Sequence, residues 1–119
     1  MPKALICDDS AAEVAHLRSI LTDAGWHSVT ASNGAEAVRK ASSEQPALIF
    51  LDIIMPDMDG YEACRQLQAD AGTRAIPVVF VSSKHQKADH VWARMQGGRA
   101  LIGKPYSPEQ ILETLRAYG

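Results

Sequence analysis

The chain has 119 residues, with 12 Lys plus Arg against 14 Asp plus Glu and a formal net charge of −2. That balance offers no electrostatic footing for nucleic acid or for an anionic membrane surface, and neither is expected as a partner. Hydrophobic residues at 46% and charged residues at 22% describe an ordinary globular chain and argue against disorder. The length suits one domain over 1–119 with no output domain attached. Cys7 and Cys64 lack the CxxC spacing of a metal or redox motif and are expected to be reduced and buried. Asp8 and Asp9 come too early for a signal peptide, and no apolar run approaches the ~18 residues of a membrane helix. A soluble, cytoplasmic protein is expected.

In chain order, Ala4–Cys7 is the first predicted strand. A helix follows, with Val14, Leu17, Leu21 and Ala24 on one face and Ser10 with Glu13 as its start signal. Gly25 stops it, and Ser28–Ala31 is the second strand. Asn33 and Glu36 open a second helix on Ala37, Val38 and Ala41, which ends by Pro46. Ala47–Leu51 is a third, continuously apolar strand. Asp59 and Glu62 open a third helix on Cys64, Leu67 and Ala71, stopped by Gly72. Val78–Val81 is the fourth strand. A fourth helix is predicted to bury Ala88, Val91, Trp92 and Met95 before Gly97 and Gly98. Ala100–Ile102 is the fifth strand. The last helix starts at Ser107, Pro108 and Gln110 and buries Ile111, Leu112, Leu115 and Tyr118. Strict alternation of strand and helix with short connections predicts an α/β fold: a doubly wound five-stranded parallel sheet, flavodoxin-like, (βα)5. In such sheets ligands sit beyond the carboxyl ends of the strands, where the strand order reverses.

Asp8 and Asp9 follow the first strand and Asp52 follows the third. With strand order 2-1-3-4-5 these acids converge. Three packed carboxylates repel unless a cation lies among them or one is protonated. A hard divalent ion, Mg2+ above all, accepts oxygen ligands and leaves room for a phosphoryl group. Ser82 at the end of the fourth strand and Lys104 at the end of the fifth add a hydroxyl and an ammonium on the same sheet edge. Carboxylate, metal, hydroxyl and cation are what phosphoryl transfer requires. Each residue alone also fits turn or cap chemistry, so the combination carries the inference.

Asp8-Asp9-Ser10, Asp52 through Gly60, Val81-Ser82-Ser83 and Lys104-Pro105, in this order and spacing, resemble a CheY-like receiver domain along the whole chain. Lys84 through Gly97 also resembles twitching-motility regulators of the PilH type. The resemblance implies a stand-alone response regulator, not an enzyme. It implies Asp52 as phosphoryl acceptor and Asp9, Asp52 and the Ile54 carbonyl as magnesium ligands, with Asp8 acting through water. Lys104 is implied to pair with Asp52 before transfer and with the phosphoryl group after it. Ser82 is implied to bond another phosphoryl oxygen. A cis Lys104–Pro105 bond is expected. The implied donor is a sensor histidine kinase, CheA-like, or its phosphotransfer domain. The implied output is a face made by the fourth helix, fifth strand and fifth helix that grips a downstream protein, unless the protein serves as a phosphate sink.

Two departures stand out. Leu101 occupies the place where the family commonly has an aromatic residue, and it offers no hydroxyl for coupling Ser82 to the output face. Two residues beyond Asp52 stands Ile54, whose side chain cannot hydrogen-bond a hydrolytic water, and two beyond Ser82 stands Lys84, so dephosphorylation is expected to be slow relative to receivers with amide or acidic side chains at these places. His85 and His90, five apart, are expected at the surface, and Trp92 is expected to pack in part on the sheet. Asp57 to Gly60 is rejected as a calcium loop because its glycine comes too early. Two alternatives remain. A magnesium-dependent aspartyl phosphatase needs a second Asp two residues after a first-strand nucleophile. A flavodoxin-like flavin module needs a Gly/Ser/Thr-rich loop after that strand.

Overall fold

The computed structural model describes residues 1–119. Its elements run β1 (Lys3–Cys7), α1 (Ala11–Asp23), β2 (His27–Ala31), α2 (Gly34–Glu44), β3 (Leu48–Asp52), α3 (Gly60–Ala69), β4 (Val78–Ser82), α4 (Lys87–Met95), β5 (Ala100–Gly103) and α5 (Pro108–Tyr118). The five strands are parallel, in the order β2-β1-β3-β4-β5, so the predicted doubly wound sheet is the one observed.

Strand parity divides the core. Leu5, Ile49, Leu51, Val78, Phe80 and Leu101 face α2, α3 and α4, where they meet Ala37, Ala41, Cys64, Leu67 and Ala93. Ala4, Ile6, Leu48, Phe50, Val79 and Ile102 face α1 and α5, where they meet Leu17, Leu21, Ile111 and Leu115. Successive side chains of a strand point to opposite faces, so a continuous apolar run loads both layers. Phe50 and Phe80 lie on opposite faces, each fully buried and each contributing roughly 2–3 kcal/mol by leaving water. Cys7 and Cys64 are free and buried, as expected; burial pushes the Cys7 thiol up to about 12 and the Cys64 thiol up to about 11.

Caps fix where the helices begin. Ser10, Asn33, Asp59 and Ser107 each accept a hydrogen bond from the backbone N–H three residues on. Only Ser107 and Gln110 complete the reciprocal pair among these four. Glu36 reaches instead to the Ser32 N–H at 2.6 Å. At α2 the left-handed residue that ends the helix is Gln45, φ 47°, directly before Pro46. Gly25 at φ 83° and Gly97 at φ 102° close α1 and α4 in the conformation glycine adopts most cheaply.

The fourth helix corrects the sequence expectation. Val91, Trp92 and Met95 are 56%, 47% and 68% exposed, and Ala93 is the residue the helix buries. Its small side chain lets the helix approach Phe80 and Leu101, whereas the apolar period counts large residues without regard to how close the helix must come. Trp92 packs in part, but edge-on against Tyr61 of α3 at 6.3 Å. His85 and His90 are exposed, as expected.

Candidate functional site

The carboxyl ends of β1, β3, β4 and β5 lie side by side, because Cys7 pairs with Leu51, Asp52 with Val81 and Ser82 with Gly103. This register brings the predicted site residues to one edge. Asp8, Asp9 and Asp52 each offer a carboxylate oxygen, all within 4.8 Å of one another. Asp8 and Asp52 are buried, each 8% exposed, and Asp9 faces solvent.

Local backbone contacts orient the acids. The Ser10 N–H donates to Asp8 Oδ1 at 2.9 Å, and the Asp8 N–H donates to the Ala31 carbonyl at 3.1 Å. The Ile53 N–H donates to Asp52 Oδ1 at 2.9 Å. After Asp52 the chain turns through Asp57, φ 68°, and returns at Gly60, whose N–H donates to the Ile53 carbonyl at 2.8 Å. A Cβ at Gly60 would stand 2.1 Å from the Asp52 carbonyl oxygen, so only glycine fits there. Met55 fastens the loop from below, its sulfur 3.5 Å from the Cys7 thiol. Ile54 projects outward, 63% exposed, and its carbonyl accepts no backbone hydrogen bond.

Ser82 is 1% exposed, and its hydroxyl accepts from the Lys84 N–H at 3.0 Å. Its carbonyl accepts from the Lys104 N–H at 2.8 Å, tying the ends of β4 and β5. The Lys104–Pro105 bond is cis, as expected. Lys104 Nζ donates to Asp8 Oδ2 at 2.9 Å and stands 3.8 Å from Asp52 Oδ1. The expected pairing with Asp52 is present as an ion pair at 3.8 Å, and the shorter contact, a hydrogen bond, goes to Asp8. Each acid gives one oxygen to a backbone N–H, Asp8 Oδ1 to Ser10 and Asp52 Oδ1 to Ile53, and the ammonium hydrogen-bonds the second Asp8 oxygen.

Burial and the nearby Asp8 charge raise the Asp52 carboxyl from 3.8 to about 6, against the opposing pull of Lys104. Burial alone would lower the Lys104 ammonium, but the hydrogen bond to Asp8 and the charges of Asp52, Asp8 and Glu13 raise it. A hard-oxygen cluster of this density suits a divalent cation. The exposed Asp9 and the free Ile54 carbonyl leave an open approach from solvent.

One contributor escapes the sequence. Glu13 Oε2 lies 3.9 Å from Lys104 Nζ, although its spacing from Ser10 marks it as a helix-start residue. Gly60, which closes the stretch from Asp52 already singled out in the sequence, owes its place to the space it leaves at the Asp52 carbonyl.

Comparison with known proteins agrees with this geometry. Residues 4–116 match the model of the response regulator receiver domain. Over 117 residues the chain is 41% identical to Protein PilH of Pseudomonas aeruginosa, covering 98% of this chain and 97% of that one. Among solved structures it is similar to chemotaxis protein CheY4 of Vibrio cholerae, with a TM-score of 0.93, 28% identity and coverage of 100% and 99%. It is also similar to a chain of the CheX-CheY-BeF3-Mg complex of Borrelia burgdorferi, with a TM-score of 0.91, 27% identity and coverage of 98% and 87%. The chain therefore belongs to the response regulator receiver family and is a signalling module of the CheY and PilH type.

Proposed function

We propose that the protein accepts a phosphoryl group on Asp52 from a phosphohistidine and serves as a single-domain response regulator. The observation that carries this is the meeting of Asp8, Asp9 and Asp52 within 4.8 Å of one another, with the Lys104 ammonium paired to Asp8 and Asp52 and the Ser82 hydroxyl on the same edge. Asp9, Asp52 and the Ile54 carbonyl would hold Mg2+, with Asp8 behind them. The bound ion supplies charge neutralisation to a phosphoryl group in transit. Asp52, its basicity raised by burial and ionised at neutral pH, attacks phosphorus as the bond to the leaving nitrogen breaks. Lys104 and Ser82 then bind phosphoryl oxygens. For Lys104 this means leaving Asp8.

The donor fits a sensor histidine kinase, CheA-like, or its phosphotransfer domain. The protein would work in a chemotaxis or type IV pilus twitching relay, through a target on the α4–β5–α5 face or as a phosphate sink. The likeness to PilH and CheY4 supports that setting. New phosphoryl contacts at Ser82 and Lys104 bias the packing of α4, β5 and α5, which a two-state switch requires.

The test is incubation with magnesium and acetyl phosphate, followed by intact-protein mass spectrometry. Wild type gains one phosphoryl group and Asp52→Asn gains none. A wild type that gains nothing, or a variant that gains as much, refutes the proposal.

A further inference from the structure

Glu13 sits where a helix-start glutamate ordinarily turns back to the cap N–H. That N–H belongs to Ser10, and it is already given to Asp8 Oδ1 at 2.9 Å. The Ser10 hydroxyl still accepts from the Glu13 N–H at 3.4 Å, so the cap stands without the Glu13 carboxylate. The carboxylate points the other way, with Oε2 3.9 Å from Lys104 Nζ. It shares a small cavity with the lysine stem, walled by Ile6, Leu17, Phe50 and Tyr106. The lysine end of this pair is 16% exposed and the Glu13 end 42%, so the pair is only partly open to water. Attraction between the two charges is screened less than on an open surface.

Lys104 thus faces two carboxylates that are not the nucleophile, Asp8 at 2.9 Å and Glu13 at 3.9 Å, and one that is, Asp52 at 3.8 Å. We propose that Glu13 is a positioning residue: its carboxylate holds the Lys104 ammonium on the Asp8 side and so weakens the lysine's grip on a phosphoryl group arriving at Asp52. This deepens the receiver function proposed above and rests on it. The ammonium must shift toward the phosphoryl oxygens, and Glu13 opposes the shift. Removing the charge frees the lysine for an incoming anion.

The test compares wild type, Glu13→Gln, Lys104→Ala and the double variant. Beryllofluoride affinity and acetyl phosphate kinetics are measured with saturating magnesium, separating half-saturation from maximal rate. Glu13→Gln is expected to tighten beryllofluoride about two- to fivefold and lower the donor half-saturation by the same factor, the range of a partly exposed ion pair. In the Lys104→Ala background the same substitution is expected to change either value only marginally, since the cycle isolates coupling between the two residues. No effect in wild type, or an equal effect in both backgrounds, overturns the proposal; the latter marks a bare charge effect. If wild type takes up no phosphoryl group, the receiver function itself fails. If wild type is phosphorylated and Glu13→Gln behaves identically, only the role of Glu13 fails.

Discussion

Lys104 donates a hydrogen bond to Asp8 at 2.9 Å while standing 3.8 Å from Asp52, so one ammonium partly neutralises two buried acids from different strand ends. This contact spans 96 positions of sequence, from the end of β1 to the end of β5. Its removal leaves Asp8 and Asp52, each 8% exposed, to repel each other.

Lys104→Ala should therefore destabilise the fold at pH 7 by about 2 kcal/mol, below the cost of breaking a fully buried pair because the site opens to solvent. The loss should shrink as pH falls through the range where Asp52 takes up a proton. Chemical denaturation at pH 7 and pH 4.5, without added magnesium, measures both values. Equal losses at the two pH values contradict the account.

Asp52→Asn should act in the opposite direction. The folded carboxyl titrates at about 6 and the ordinary value is 3.8, so folding favours the protonated form. Stability therefore falls as pH rises from about 4 to about 6 and stays reduced at pH 7. A displacement of that size corresponds to about 3 kcal/mol, which solvent at the mouth of the site screens to about 1–2 kcal/mol. The amide retains an oxygen for the Ile53 N–H. The variant should be more stable than wild type at pH 7 by that amount, with the advantage gone near pH 4. Denaturation curves across this window read the crossover.

Gly60→Ala tests the loop that carries the acceptor. The new methyl group would press on the Asp52 carbonyl oxygen and the Ile53 Cα, both backbone atoms that cannot rotate aside. A loss of about 3 kcal/mol is expected, together with slower phosphorylation, because the displaced strand end carries Asp52. Thermal melting and acetyl phosphate labelling check the two effects.

The phosphorylated protein should decay slowly. Ile54 is exposed at the mouth of the site but has no polar atom on its side chain, and Lys84 leans toward Asp89 at 3.8 Å. Neither offers the amide or carboxylate that would accept a proton from a water attacking an acyl phosphate. Ile54→Gln should speed decay by about tenfold, below the usual contribution of a positioned proton acceptor. A wild-type half-life of only a few seconds, followed by loss of label, sinks this expectation.

Much of this molecule is legible in its residue order. Continuous apolar runs such as Leu48–Leu51 announce strands buried on both faces, and the helix starts at Ser10, Asn33, Asp59 and Ser107 lie where their capping chemistry predicts. Asp8, Asp9, Asp52, Ser82 and Lys104 could be placed on one edge because parallel strands joined by helices all end there. What the residue order could not supply is partner choice at that edge. Asp8 takes the lysine, Glu13 turns from its cap toward Lys104, and α4 buries Ala93 while leaving Trp92 half in solvent. Local rules act over a few residues and determine where elements begin and which periods they carry. The distances among Asp8, Glu13, Asp52 and Lys104 depend on strand register and helix approach, and only the packed tertiary structure decides those.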